Sequence, residues 1–444
     1  MNYNLKIPSD VQYILDVLYE NGYEGYMVGG CVRDLILGRK PNDYDITTNA
    51  QPDVVASIFE KVILTGLKHG TVTVVINDEM YEVTTYRKDG KYEDNRHPKE
   101  VQFVTDIKED LSRRDFTINS MAYNDEKGLI DFFGGVSDLK NKIIRTVGEP
   151  EKRFEEDALR MLRAVRFAVQ LDFKIDENVF KSIEILSGNI KNISKERIRE
   201  EFNKIILKNP KGIDMLNNCG ILDYIIEGYG KLKNYKYKNK SIYECCLSCA
   251  DKVDSEIYLR IAVILNCVNL IDEYTCEKEN LIEKEIYNNS IKSETSDKAE
   301  DILRILKYDK NTIKKVKTLI MYYNIKLEDK IDIKKALNIM GKILVEDLIK
   351  IRYVYAEYIC DEKEKSKLIE VQKMYNEIIL NNECFSIQQM DINGKDLIKI
   401  GIINGKNIGI MLNYLLDKII KNNNLNSREK IIEMAKLKMK RDIF

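Results

Sequence analysis

Tryptophan is absent from the 444 residues, histidine occurs only twice and proline only six times. With His69 and His97 as its only imidazoles, the chain cannot by itself build a histidine-rich metal centre such as that of the His-Asp phosphohydrolases. No apolar run is long enough to span a bilayer, which excludes a helical membrane protein at the sequence level. The opening segment MNYNLKIPSD lacks the basic-then-apolar order of a secretory leader, so a cytoplasmic location is expected. The nine cysteines are scattered, and only Cys246 and Cys249 have CxxC spacing. Without a second pair or a neighbouring histidine they read as reduced, apolar thiols rather than a zinc site. A formal net charge of −1 carries no global signature of polyanion binding. The length itself predicts two to four domains.

What is present changes character near residue 148. Before it the pattern is mixed α/β. A helical stripe (Val11, Ile14, Leu15, Leu18) leads to a short strand ending at Val28, and a helix opens at the Gly29-Gly30 turn. A strand is expected around Tyr44–Thr47, then a helix with Pro52 in its first turn. GTVTVVINDEMYEVTTYR reads as two strands joined by an Asn-Asp turn. From about Glu149 nearly everything has helical period, with breaks near residues 208–210, 227–231 and 288–296. The expected architecture is α+β. A head (1–148) is followed by an elongated all-α neck (149–205), body (206–330) and tail (331–444). From Gly394 onward Lys and Arg outnumber Asp and Glu by eleven to five, which fits either a solvated face or a polyanion-binding one.

Chemistry is concentrated in a few places. In GGCVRDLILGRKPNDYDI, Asp43 and Asp45 stand two apart, so on a strand they share one face and repel unless a cation lies between them. The preceding turn frees backbone N–H groups at a helix start, with Gly30 in the turn and Arg33 one turn on, as a phosphate cradle requires. Carboxylate pair and cradle together suit Mg²⁺, a hard ion held by one or two carboxylates plus substrate phosphates. Two such ions would serve a phosphoryl transfer. A plain turn before a helix start is the simpler alternative. Glu82, on the second hairpin strand, reads equally as a third carboxylate or an exposed strand residue. In RRDFTINSMA, Arg114 suits a phosphate and Asp115 a hydroxyl or an arginine, yet a surface ion pair at a helix start explains the triplet as well. EPEKRFEEDALRMLRAVRFA reads as one helix whose apolar face is Leu159, Leu162, Val165 and Val169. Asp157, Arg160, Arg163 and Arg166 form a polar ridge at spacing three. That ridge fits a salt-bridged solvent face, or an acceptor-and-donor edge for a nucleotide base with arginines in line for its triphosphate.

These residues, with GLKHGTVTV, EVTTYR, YEDNRHPKEVQFVTDIKEDL, DFFGGVSDLKNKIIRTVGEP and ISKERIREEF, resemble the class II CCA-adding enzymes. Those are tRNA nucleotidyltransferases in the same family as poly(A) polymerases, within the DNA polymerase β superfamily. The resemblance runs from about residue 22 to 205 and returns in IGIMLNYLLDKII and NSREKIIEMAK. It implies a polymerase-β-like head that adds C, C and A to the 3′ end of tRNA from CTP and ATP, releasing pyrophosphate. It implies metal binding by Asp43 and Asp45, and places Gly30, Arg33 and Arg114 at the nucleotide. Asp157 and Arg160 would read the base, with Arg163 and Arg166 at the phosphates. Residues 86–99 resemble the loop that supports the change from C to A, ISKERIREEF would brace the reading helix, and the helical body and tail would hold the tRNA acceptor arm. The body departs from relatives that carry a His-Asp element: Asn266-Cys267 stands there, which argues against hydrolase activity. A-adding enzymes share nearly all these motifs. CC-adding enzymes typically have a shorter loop than RKDGKYEDNRHP, and bacterial poly(A) polymerases differ at GLKHGTVTV. An inactive tRNA-binding relative is disfavoured because Asp43, Asp45 and Arg160 are all present.

Overall fold

The computed structural model describes residues 3–64, 66, 70–90, 101–271 and 289–441. Both histidines, and residues 91–99 of the expected loop, lie outside the described residues. The chain divides between Glu227 and Gly228, inside the EGYGK break.

In the first unit, helix α1 (Ser9–Glu20) buries Val11, Ile14, Leu15 and Leu18, the stripe its period predicts. It precedes β1 (Gly25–Val28), buried throughout, and α2 (Gly30–Ile36). Then come β2 (Asp45–Thr48), α3 (Pro52–Ile58), β3 (Val62–Ile63), β4 (Thr71–Ile76) and β5 (Glu79–Thr85). The β4–β5 hairpin forms as expected. Asn77 and Asp78 turn it with φ of 50° and 63°, which matches the twist of the flanking strands. A two-stranded ribbon, β6 (Arg87–Asp89) with β7 (Val101–Phe103), precedes α4 (Ile107–Ser112). Strands β8 (Ala122–Asn124) and β9 (Gly128–Ile130) complete a seven-stranded sheet ordered β3-β4-β5-β2-β1-β8-β9. Only β2 and β5 run parallel in it, and that pairing sets Asp45 beside Glu82. Strands β8 and β9 are not among the expected elements, because three-residue strands carry too little alternation to read.

Helix α5 (Gly135–Asn141) and a parallel pair, β10 (Ile143–Ile144) with β11 (Lys174–Ile175), frame the neck. The expected single helix is in fact two, α6 (Pro150–Glu156) and α7 (Leu159–Leu171). The break falls at Asp157, which is extended (φ −143°, ψ 103°) and accepts the N–H of Leu159 on its own Oδ1 at 3.0 Å. An Asp side chain competing for nearby backbone donors opens the helix at that point. α7 then packs against α9 (Lys195–Lys208), with α8 (Glu177–Leu186) on α6 and α10 (Gly212–Asn218) against α7.

The second unit is helical, as expected, apart from a small hairpin formed by β12 (Lys236–Tyr237) and β13 (Lys240–Ser241). Its helices are α11 (Ile242–Lys252), α12 (Ile257–Leu265), α13 (Asn289–Ile305), α14 (Lys310–Met321), α15 (Lys330–Met340), α16 (Lys342–Tyr358), α17 (Glu362–Leu380), α18 (Gly394–Lys399), α19 (Gly405–Lys421) and α20 (Arg428–Arg441). Leu397, Met411, Leu415, Ile419 and Ile431 make the core of the last three. Among the described residues no helix is long and apolar enough to cross a membrane.

Candidate active site

The site begins at a glycine. Gly29 has φ 80° and ψ −129°, a conformation open to glycine and costly for any side chain. Its N–H donates to Met121 O at 3.2 Å, which ties the turn to the segment before β8. A Cβ added there would lie 3.0 Å from Arg114 Nη1 and 4.0 Å from Asp45 Oδ2. The bare backbone therefore lets a guanidinium and a carboxylate converge over the turn.

Asp45 is the first residue of β2, whereas Asp43 lies just before the strand. The expectation that both sit on one strand is corrected to that extent. Both carboxylates are exposed. Even so, crowding by surrounding protein raises the Asp45 carboxyl to about 6, with Arg114 opposing and Asp43 and Glu82 adding to the rise. Asp45 is thus accessible while protein atoms and like charges crowd it from several sides. Glu82 is Asp45's register partner on β5, so it acts on Asp45 through its charge. No group of three or more Asp, Glu, His or Cys placed to hold a metal occurs among the described residues. The donor set here is a pair of acidic oxygens under mutual repulsion. A divalent cation completed by substrate phosphates would relieve that repulsion, and the residues fit such an ion.

The Arg113-Arg114-Asp115 triplet lies at the end of α4 rather than at a helix start, and Asp115 is buried, so it is no surface pair. The chain leaves α4 here, and each residue of the triplet reaches a different part of the site. Arg114 lies over Gly29 and 3.5 Å from Asp110 Oδ2. The carbonyl of Arg113 accepts from Arg160 Nη2 at 3.1 Å. Asp115 Oδ2 takes Nε and Nη2 of Arg163 at 2.7 and 2.6 Å, while its Oδ1 accepts from Asn119 Nδ2. Burial would raise the Asp115 carboxyl, but Arg163 and Arg160 outweigh it and hold the group down at about 2. Asp110, fully buried, receives Arg113 at 2.8 Å and the N–H of Arg87 at 3.3 Å. Burial alone would raise its pKa too, but Arg113 and Arg114 hold it below the usual carboxylate range.

The ridge on α7 is not a solvent face. Arg160 and Arg166 are buried, at 8% and 9% exposure. Arg160 Nη1 reaches Glu156 Oε2 at 2.6 Å and Arg153 O at 3.3 Å. Asp157 is held by both terminal nitrogens of Arg197, at 2.8 and 3.3 Å, from α9. Arg166 Nε approaches Glu201 Oε2 at 2.8 Å as an ion pair out of line for a hydrogen bond. Burial lowers its pKa to about 10 in spite of Glu201. Three guanidinium groups, from Arg33, Arg163 and Arg166, lie 5.3, 5.3 and 4.1 Å from the centre of the Phe167 ring. Phe167 in turn packs edge-on against Phe116 at 5.7 Å. Arg33 also donates to Asn119 Oδ1 at 2.7 Å and pairs with Asp34 at 2.9 Å.

All the expected site residues thus belong to one unit, in two linked groups: Gly30, Asp43, Asp45 and Arg114 around the turn, and Arg33, Arg163, Arg166, Asp157 and Arg160 around α7. Sequence reasoning missed Asp110, Asn119, Phe167 and Arg197. The last lay in ISKERIREEF, but no spacing rule links it to a residue forty positions earlier.

The Asp115–Arg163 pair carries a prediction. Asp115→Asn should lower the first urea-unfolding transition of the full chain by about 2–3 kcal/mol at pH 7. The carboxyl is depressed in the folded state, so its stabilisation is complete above about pH 4 and lost as pH falls toward 2. The difference between variant and parent should close over that range. An unchanged transition at pH 7 would mean that the pair does not brace the site.

Three family models match the chain: "Poly A polymerase head domain" over residues 25–145, "Probable RNA and SrmB- binding site of polymerase A" over 172–231, and tRNA nucleotidyltransferase domain 2 over 288–435. The CCA-adding enzyme of Ligilactobacillus salivarius is 36% identical over 95% of each chain. That of Lactobacillus helveticus is 53% identical, over 43% of this chain and 48% of its own. The CCA-adding enzyme of Bacillus stearothermophilus, solved in complex with CTP, superposes with a TM-score of 0.73 at 28% identity, covering 98% of this chain and all of that one. Full-length similarity to named enzymes, agreement of fold and the residue geometry converge: the chain belongs to the family of CCA-adding enzymes.

Proposed function

We propose that Asp43 and Asp45 form the metal-binding pair of a cleft whose specificity is set by Asp157 and Arg160. The reaction is the template-independent addition of C, C and A to the 3′ end of tRNA from CTP and ATP. The supporting observation is the Arg113–Asp115 triplet, which joins the carboxylate pair to Arg160 on one side and to Arg163 on the other. Members of this enzyme class depend on a divalent metal, and Mg²⁺ is the ion we assign. Held by Asp43 and Asp45, it supplies Lewis acidity to the 3′-hydroxyl and offsets charge on the triphosphate.

The chain's own groups do the rest. Arg114 projects over the Gly29-Gly30 turn, where the α- and β-phosphates would sit. Arg33, Arg163 and Arg166 offer a cationic wall stiffened by Phe167. Asp157 is acceptor-only and Arg160 donor-only. Cytosine and adenine each present an exocyclic amine beside a ring-nitrogen acceptor; uracil and guanine present a carbonyl beside N–H. One carboxylate and one guanidinium in a fixed order therefore accept both required bases and refuse the others. The helical second unit, with its basic final segment, supplies the grip on the acceptor arm.

The test uses purified protein, Mg²⁺ and three tRNA transcripts, ending at the discriminator base, at C and at CC. Each receives CTP, ATP or both, and products are resolved to the nucleotide. Completion to CCA from every start is expected. Extension of the CC-ending transcript alone, and only by A, would make this an A-adding enzyme.

A further inference from the structure

The second unit contains a cavity of about 530 Å³, in the size range of small-molecule sites. It lies between the β12–β13 hairpin, α11, the end of α12 and the facing parts of α16 and α17. Its wall is mixed in a specific way. Lys240, Arg352, Lys363 and Lys367 contribute four cations, against two acids, Asp361 and Glu364. Both acids are already engaged: Asp361 receives Lys238 at 3.0 Å, and Glu364 receives Arg352 Nη2 at 2.5 Å. On the wall itself cations exceed acids by two, although Arg352 is the partner of Glu364 and Lys367 lies 3.8 Å from Glu328, so the cavity carries a modest positive excess. Flat surface comes from Tyr237, Tyr323 and Tyr355, the last two packed edge-on at 5.9 Å. Asn324 also lines it. The Nδ2 of that side chain is buried and has no hydrogen-bond partner among the described residues. A buried donor without an acceptor costs free energy, and a ligand oxygen would recover it.

We propose that this cavity binds a nucleoside monophosphate, as a site separate from the cleft in the first unit. The lysines at its mouth take the phosphate, the tyrosines flank the ring, and Asn324 Nδ2 donates to a ligand oxygen or ring nitrogen. Asn266 and Cys267 also line the cavity. The site is one of binding, with no bond cleavage assigned to it.

The experiment uses the full chain and AMP. Titration calorimetry measures affinity, and photolabelling with 2-azido-AMP followed by peptide mapping locates the site. Two variants are compared: Lys363→Glu/Lys367→Glu, which reverses charge at the mouth, and Asn324→Leu, which removes the donor. Correct folding of both variants is checked by far-UV circular dichroism and by urea unfolding, because both substitutions lie in the unit assigned to tRNA binding. Labelling of peptides within 237–246 or 352–367, with affinity at least tenfold weaker in the charge-reversal variant, is expected. Labelling confined to the first unit, or equal affinity in parent and both variants, would overturn the proposal. A competition arm with inorganic phosphate tests the ring. Phosphate displacing AMP at equal concentration would reduce the site to an anion site and refute the nucleoside assignment.

Discussion

Asp43→Ala and Asp45→Ala should each lower nucleotide incorporation by about a thousandfold or more, while tRNA affinity stays within about threefold of the parent. The asymmetry follows from position. Asp45 stands beside Gly29 and Arg114, with Asp43 close enough to act on it by charge, and in the proposed assignment only the reacting groups need the pair. Affinity for a polyanion rests mainly on cations at its phosphates, so the loss of two acids should not reduce it. The measurements are single-turnover incorporation of CMP with saturating tRNA, and filter binding of the same transcript. Near-parental incorporation by either variant would remove the metal assignment. Equal loss of binding and incorporation would instead mean that the pair shapes the tRNA site. Glu82→Gln separates the third carboxylate from the pair. If Glu82 acts on Asp45 only through charge, the loss should be several-fold rather than a thousandfold.

The second large effect is expected at Arg160. Arg160→Ala should reduce discrimination of CTP over UTP by about 10- to 100-fold, the size of one lost bidentate base contact, at roughly 1–3 kcal/mol. Competition among all four NTPs, read by mass of the extended transcript, measures it. Unchanged selectivity would exclude Arg160 from base reading. Arg197→Met is the companion test. It touches no base in this assignment, yet it releases the carboxylate of Asp157. Selectivity should therefore blur in the same direction, with the KM for tRNA unmoved. Arg197→Lys, which keeps charge but loses the fork, should recover part of it. A merely structural role for Arg197 would lower stability without altering the ratio of C to U.

How much was legible in advance depends on the range of the interaction concerned. The Gly29-Gly30 turn, the β4–β5 hairpin and the stripe of α1 are written in neighbouring residues, because φ preferences and side-chain periodicity act within one or two turns. Asp43 and Asp45 stood out for the same local reason, since two like charges two residues apart repel on a strand unless solvent or a cation screens them. The RRD triplet and the α7 ridge were ambiguous, since a solvent-facing ion pair and a buried network use the same residue types at the same spacing. Burial separates those readings, and burial is a property of the packed chain. The single helix expected from Pro150 onward failed for a related reason. The apolar period continues through Asp157, and only the contest of its side chain for the Leu159 N–H opens the turn.

The sequence by itself determined an α/β head followed by helices and two neighbouring aspartates soon after a glycine turn, and it carried the resemblance to a nucleotidyltransferase family. Only the tertiary structure decided that Arg197 holds Asp157 from forty residues away, and that Asp115 belongs to Arg163. It alone brought three guanidinium groups around one phenylalanine and enclosed a cationic cavity in the second unit. The physical reason is that such pairings join residues distant along the chain. Their energy depends on desolvation and on the closeness of charges, and neither has a value until the helices pack.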